Sequence, residues 1–194
     1  MARKKSLELP DVDQLEAELS KERYRKNFGR ILRNTVFSLV VVAAVAVLLV
    51  VLLMPVLQIV GTSMTETLND GDIVIAVSGS DYSPGDVIAF YYNNAILIKR
   101  VIASPGDWVD IDGEGNVFLN GEPQDEPYVS EKALGECNIT LPYQVPDARY
   151  FVMGDHRATS IDSRNTAVGC ISDELVIGKL LLRVWPLPQF GFVR

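Results

Sequence analysis

Hydrophobic and polar positions are patterned in three successive ways along this chain. In the first 33 residues apolar side chains are sparse, but Val12, Leu15 and Leu19 recur at helical spacing and Glu22 and Lys26 form an i,i+4 pair, which predicts a polar helix. From Asn34 to Thr65 no side chain is charged, and Val36 to Leu57 is mostly Val, Leu and Ala. A helix needs about 20 apolar residues to cross hydrocarbon, whereas the apolar region of a cleavable signal peptide has about 7–15. The run therefore predicts one uncleaved transmembrane anchor over residues 34–57, with Pro55 ending or kinking it near the outer interface. Beyond residue 58, short apolar runs alternate with Gly, Pro, Asn and Asp. This predicts strands at 58–61, 72–77, 86–91, 95–103, 108–111, 116–119, 149–152 and 178–185. Asn93-Asn94 and Asn120-Gly121 read as hairpin turns, the second of type I′. Residues 122–148 are polar and contain proline, and are expected to form an extended loop. The expected fold is mostly β, an antiparallel domain over residues 58–194 behind one N-terminal transmembrane helix.

Charge adds a direction to that pattern. Residues 1–33 hold nine Lys/Arg and six Asp/Glu, a net of +3, while residues 61–194 hold nine and nineteen, a net of −10. Lys21, Arg23, Arg25, Lys26, Arg30 and Arg33 crowd the start of the apolar run, and such cations favour the cytosolic face of a bilayer. Residues 1–33 are thus expected in the cytosol and the β-domain outside. The acidic body argues against nucleic acid as a partner, because phosphate binding needs clustered Lys/Arg. With one histidine, His156, and two cysteines, Cys137 and Cys170, the chain lacks the ligand set of an ordinary zinc site. The cysteines are compatible with a disulfide or with two buried thiols.

Three stretches carry candidate chemistry. Ser63 follows the apolar run in Val60-Gly61-Thr62-Ser63-Met64, where a hydroxyl becomes a nucleophile only if a neighbouring base takes its proton. Lys99 stands inside the apolar strand pattern Ile96–Ile102. An unperturbed lysine has a pKa of about 10.4, so neutrality at pH 7 costs about 4.6 kcal/mol, a shift that desolvation can supply. On a strand Lys99 and Arg100 point to opposite faces, so Lys99 can face an apolar interior while Arg100 meets solvent or a carboxylate. Periodicity alone is equally served by an edge-strand lysine in water and an ordinary turn serine. The third stretch, residues 150–164, runs from a strand into Gly154-Asp155-His156 and a loop dense in hydroxyls, Asp and Arg. A serine there could orient the lysine amine. The competing arrangement makes His156 the base and Asp155 or Asp162 its orienter.

Five segments resemble, in order, those of the bacterial type I signal peptidases. They are GTSMTETL at 61–68, PGDVIAF at 84–90, ILIKRVIASPGD at 96–107, VMGDHRATSIDSR at 152–164 and GKLLLRVWP at 178–186. The single anchor and short body resemble the Gram-positive type. The resemblance implies a membrane-bound serine endopeptidase that removes signal peptides from secreted preproteins, using Ser63 as nucleophile and Lys99 as general base, with no cofactor or metal. It further implies that Ser160 orients Lys99, that Asp162 and Arg164 form a supporting ion pair, and that Asp155 ties down the loop. Ile59, Met64, Leu68, Leu97 and Ile98 would line pockets for small side chains at −1 and −3. The bilayer and the preprotein are the implied partners, with the secretion translocon close by. Three positions depart from the family's pattern. Glu66 stands where proline is usual, which loosens the loop. Gly61 stands where some members carry an oxyanion-donating serine, and His156 replaces an asparagine. Two other classes share parts of this pattern. One is a self-cleaving repressor-like Ser–Lys peptidase, against which the anchor argues; the other is an inactive anchored binding module in which Glu66 marks loss of function.

Overall fold

The computed structural model describes residues 11–79 and 81–193 and divides into two units, residues 1–50 and 51–194. The first unit is helical. Helix α1 spans Val12–Leu53, and among the described residues it alone is long and apolar enough to cross a membrane. Its apolar side chains, Val40, Leu48 and Val50 among them, are exposed. An uncovered apolar helix of this length finds a compatible solvent in lipid rather than in water. The helix stops two residues before Pro55, whose ring cannot continue it.

The second unit is antiparallel β-structure in two sheets. The larger runs in the order β1 (Val56–Gln58), β2 (Ile73–Val77), β11 (Val176–Trp185), β3 (Val87–Tyr92), β4 (Ala95–Ala103), β9 (Arg149–Met153), β10 (Ile171–Ser172), with β12 (Gly191–Phe192) also on β11. The smaller runs β7 (Glu122–Pro123), β6 (Val117–Leu119), β5 (Trp108–Ile111), β8 (Tyr143–Gln144). Most expected strands are present, and Asn120 and Gly121 take φ of 54° and 86°, the two left-handed positions of a type I′ hairpin. Two expectations need correcting. The strand placed at 58–61 lies at Val56–Gln58 instead, because β1 takes its register from β2, with Leu57 opposite Val74. The segment 122–148 is not wholly loop: β7 and β8 close the smaller sheet, and Leu134, Ile139 and Leu141 pack onto the cluster around Val109, Phe151 and Met153.

Two features of the larger sheet prepare a site. The β4–β9 ladder begins at Arg100, opposite Met153, so Ala95–Ile98 has a partner strand on the β3 side only. Strand β1 ends the sheet and is paired on one side by β2. Two stretches of main chain thereby have one edge without a sheet partner among the described residues.

Candidate active site

The turn after β1 carries Ser63. Ile59, Met64 and Leu68 sink into a cluster with Val74, Val87 and Leu180. Burying side chains of this size contributes about 1.5–3 kcal/mol each, enough to fix the turn despite its irregular backbone. Gly61 donates its N–H to Asp70 Oδ1 at 2.7 Å, Leu68 N–H bonds the Met64 carbonyl at 2.8 Å, and the Ser63 carbonyl accepts from His156 N–H at 3.1 Å. Ser63 remains partly exposed. It opens onto a cavity of about 630 Å³, whose walls include Ile59, Gly61, Met64, Leu97 and Ile98. Of the five expected pocket residues, Leu68 is not in that wall. It is fully buried beneath the turn, where its contacts are to core residues.

Lys99 lies on β4 opposite Ile88, one residue beyond the cavity wall at Ile98. Only 3% of its surface is exposed. Burial lowers its pKa from 10.5 to about 8; the nearby Asp162 and Asp155 carboxylates oppose that shift and the Arg164 guanidinium adds to it. The carboxylates that would otherwise keep the ammonium charged are already committed elsewhere. Arg164 donates Nε and Nη2 to the two oxygens of Asp162, both at 2.8 Å, and Gly154 N–H reaches Asp162 Oδ2 at 3.0 Å. Burial pushes the Asp162 carboxyl up, but these donors outweigh it and the pKa falls below the ordinary value. Asp155 receives Arg100 Nε and Nη2 at 2.8 and 2.7 Å and the Thr67 hydroxyl at 2.5 Å.

Ser160 is buried, and its Oγ has no hydrogen-bond partner. The hydroxyl is close enough to Asp162 to help lower that carboxyl, yet nothing completes a bond to its oxygen. It packs against Gly154, where an added Cβ would collide with both Ser160 Oγ and the Ser63 carbonyl oxygen. Gly154 is therefore one point, beside the His156–Ser63 and Thr67–Asp155 hydrogen bonds, at which the serine turn meets this loop. The alternative with His156 as base fails on geometry. His156 is exposed, its Nδ1 meets Thr159 Oγ1 at 2.8 Å, and both candidate aspartates are held by arginines.

Other residues of this region have surroundings that the sequence pattern left open or did not mark. Arg100 does not reach solvent; it is 1% exposed, bonds Asp155 and the Gly85 carbonyl, and lies 3.9 Å from the Tyr128 ring centre. Arg157 is equally buried, pairs with Glu126 and donates Nε to the Gly154 carbonyl at 3.2 Å. Glu126 comes from the segment expected to be loop, and no local signal marks it. Glu66 has φ +89°, which a proline ring forbids, so the turn takes a path closed to the usual proline rather than a merely looser one. Cys137 and Cys170 are free thiols, and burial raises Cys170 to about 11.

The family profile described as signal peptidase, peptidase S26, matches residues 32–185. Signal peptidase IB of Staphylococcus aureus strain MRSA252 is 34% identical over 152 residues, covering 68% of this chain and 78% of its own length. A probable signal peptidase I-2 of Synechocystis sp. is 33% identical over 144 residues, covering 68% of this chain and 63% of its own. A crystal structure of a signal peptidase I from Enterococcus faecalis V583 is 28% identical, with a TM-score of 0.43, over 53% of this chain and 99% of that one.

Proposed function

The chain belongs to the signal peptidase family, peptidase S26, and on that premise we propose that Ser63 is its nucleophile and Lys99 the general base. It is a serine protease that cleaves signal peptides from preproteins. The observation that carries the assignment of roles is a lysine with 3% exposure and a pKa lowered to about 8, one residue from the wall of the cavity onto which Ser63 opens.

The chemistry follows from those positions. Neutral Lys99 Nζ takes the Ser63 hydroxyl proton as Oγ attacks the scissile carbonyl carbon. Main-chain N–H groups of the serine turn, that of Ser63 among them, receive the developing oxyanion. Lys99 returns the proton to the leaving amine, and the peptide C–N bond breaks. Water then attacks the acyl ester with Lys99 again as base and releases the signal peptide's carboxyl end. Ser160 Oγ is buried and without a hydrogen-bond partner in the free protein; in this reading it is the acceptor that orients the Lys99 amine once that amine is neutral, leaving its lone pair for the Ser63 proton. The Asp162–Arg164 and Asp155–Arg100 pairs absorb carboxylate charge that would otherwise restore the ammonium. A pKa of about 8 removes roughly 3 of the 4.6 kcal/mol needed for neutrality at pH 7. The bound preprotein displaces water from the cavity and supplies the remainder.

The preprotein adds as a strand between the unpartnered edges of β1 and of Ala95–Ile98, its main chain satisfied by both. Ile59, Met64, Leu97 and Ile98, which line that cavity, then form the pockets for small side chains at −1 and −3. Residues 1–33 lie in the cytosol, residues 34–57 cross the bilayer and residues 58–194 work outside, close to the translocon from which preproteins emerge. The test is cleavage of a purified preprotein by the full chain, beside Ser63→Ala and Lys99→Arg. Arginine keeps its charge at working pH, so both variants should lose cleavage; retained activity in Lys99→Arg would remove Lys99 from the mechanism.

A further inference from the structure

A second cavity, about 690 Å³, lies at the tip of the β3–β4 hairpin. Asn94, Ala95 and Ile96 line it and also line the cavity at Ser63, so the two border the same hairpin tip. Its other walls include Tyr91 on β3 and Leu175 at the end of the short 3₁₀ turn Asp173–Leu175. Three of its apolar side chains are open to solvent: Tyr91 is 57% exposed, Ile96 44% and Leu175 43%. Nothing in the catalytic arrangement uses them.

We infer that this cavity is a distal subsite for the same signal peptide, taking apolar side chains from about −6 upstream. The inference rests on the proposed strand-like seating of the preprotein in the first cavity. With −1 at Ser63 and Ile98, the peptide amino-terminal to the cut runs along Ile98 to Asn94. Those residues advance about 13 Å at about 3.3 Å per residue, which accommodates roughly −1 to −5. The next residues arrive where Asn94, Ala95 and Ile96 face the second cavity. A signal peptide carries its apolar region amino-terminal to its small-residue cleavage end, and Tyr91, Ile96 and Leu175 offer apolar surface to match. Arg149 also borders the cavity, which disfavours lysine or arginine on the peptide at these positions. The subsite thus reads where the apolar segment begins, while the −1 and −3 pockets read where the cut falls.

The test compares two synthetic peptides with the full chain in detergent micelles. One spans −4 to +3. The other spans −9 to +3 with leucines at −6 to −9. Tyr91→Ser and Leu175→Ser are made singly and together, with Tyr91→Phe as the conservative partner. Wild-type protein should cleave the long peptide with a KM about five- to tenfold lower than the short one. The double variant should lose most of that advantage, Tyr91→Phe should keep it, and cleavage of the short peptide should stay unchanged in all of them. An advantage that persists in the double variant overturns the subsite and leaves partition of the long peptide into the micelle as its cause. Equal losses on both peptides also overturn it, since the damage would then be general. Failure of wild-type protein to cut either peptide, or cutting that survives Ser63→Ala, would instead strike the assignment of the catalytic pair.

Discussion

A lysine with almost no exposed surface is at a deficit before any chemistry begins, because burial penalises its ammonium. The folded pKa of about 8 lies below the unfolded 10.5, so between those values the unfolded chain binds more protons and stability rises with pH. Below about pH 8 the full penalty applies, roughly 3 kcal/mol. Lys99→Met should therefore abolish cleavage and yet raise the melting temperature at pH 6–7, with the gain fading above pH 8 and gone near 10.5. Thermal denaturation across pH checks it, and a variant less stable at every pH would contradict the account. In wild-type protein kcat/KM should climb with pH through about 8. The corresponding pKa in kcat should be lower, because the bound preprotein dries the site further. Ser160→Ala should cost turnover more than stability, since its oxygen bonds nothing in the free protein; kinetics beside a denaturation curve separates the two. Glu66 holds a left-handed φ of +89°. Glu66→Gly should stabilise by roughly 1 kcal/mol and Glu66→Pro should destabilise, as urea titration would read.

At the scale of elements, β4 serves the site with both of its faces. Lys99 goes to one side, where burial lowers its pKa, and Arg100 to the other to hold Asp155. Alternation along a strand makes that division unavoidable for adjacent residues, and the carboxylate alternative for Arg100 is the one realised. The 155–164 loop is joined to the serine turn at Gly154 and to the 122–148 segment through Arg157 and Glu126. Gly154→Ala should displace both Ser160 and the Ser63 carbonyl, lowering kcat at least tenfold with KM little changed. Glu126→Gln removes the charge facing a buried guanidinium and should cost roughly 3 kcal/mol of stability, measurable by chemical denaturation. A Glu126→Gln protein as stable as wild type would show that the pair is not needed to hold the loop.

For the whole molecule, an apolar helix and an antiparallel β-unit have different solvents. The exposed Val and Leu surface of α1 is compatible with a membrane anchor. In the proposed orientation, the cations before residue 34 face the cytosolic leaflet. Protease added to the outer face of intact cells should digest residues 58–194 and spare an amino-terminal fragment of the first 33 residues and the span. Protection of the β-unit instead would reverse the proposed orientation.

The linear pattern determined a good deal of this. An uncharged run of more than 20 residues needs no partner to declare a membrane span, and alternation with turn residues declared most strands. Ser63, Lys99 and the 152–164 loop, to which the catalytic roles are proposed, stand out in the sequence because each sits in a contiguous motif. Tertiary structure alone decided the rest, because those properties depend on neighbours distant in sequence. Whether Lys99 is wet or dry turns on neighbours distant in sequence, Ile88 opposite it on β3 and the charged groups of Asp155, Asp162 and Arg164 near it. Leu68 reads like Met64 in the sequence, but the strands beneath the turn bury it away from the cavity. Glu126 and Arg157 are 31 positions apart and carry no shared local signature. Cys137 and Cys170 were compatible with a bond by count, and the fold leaves both as thiols.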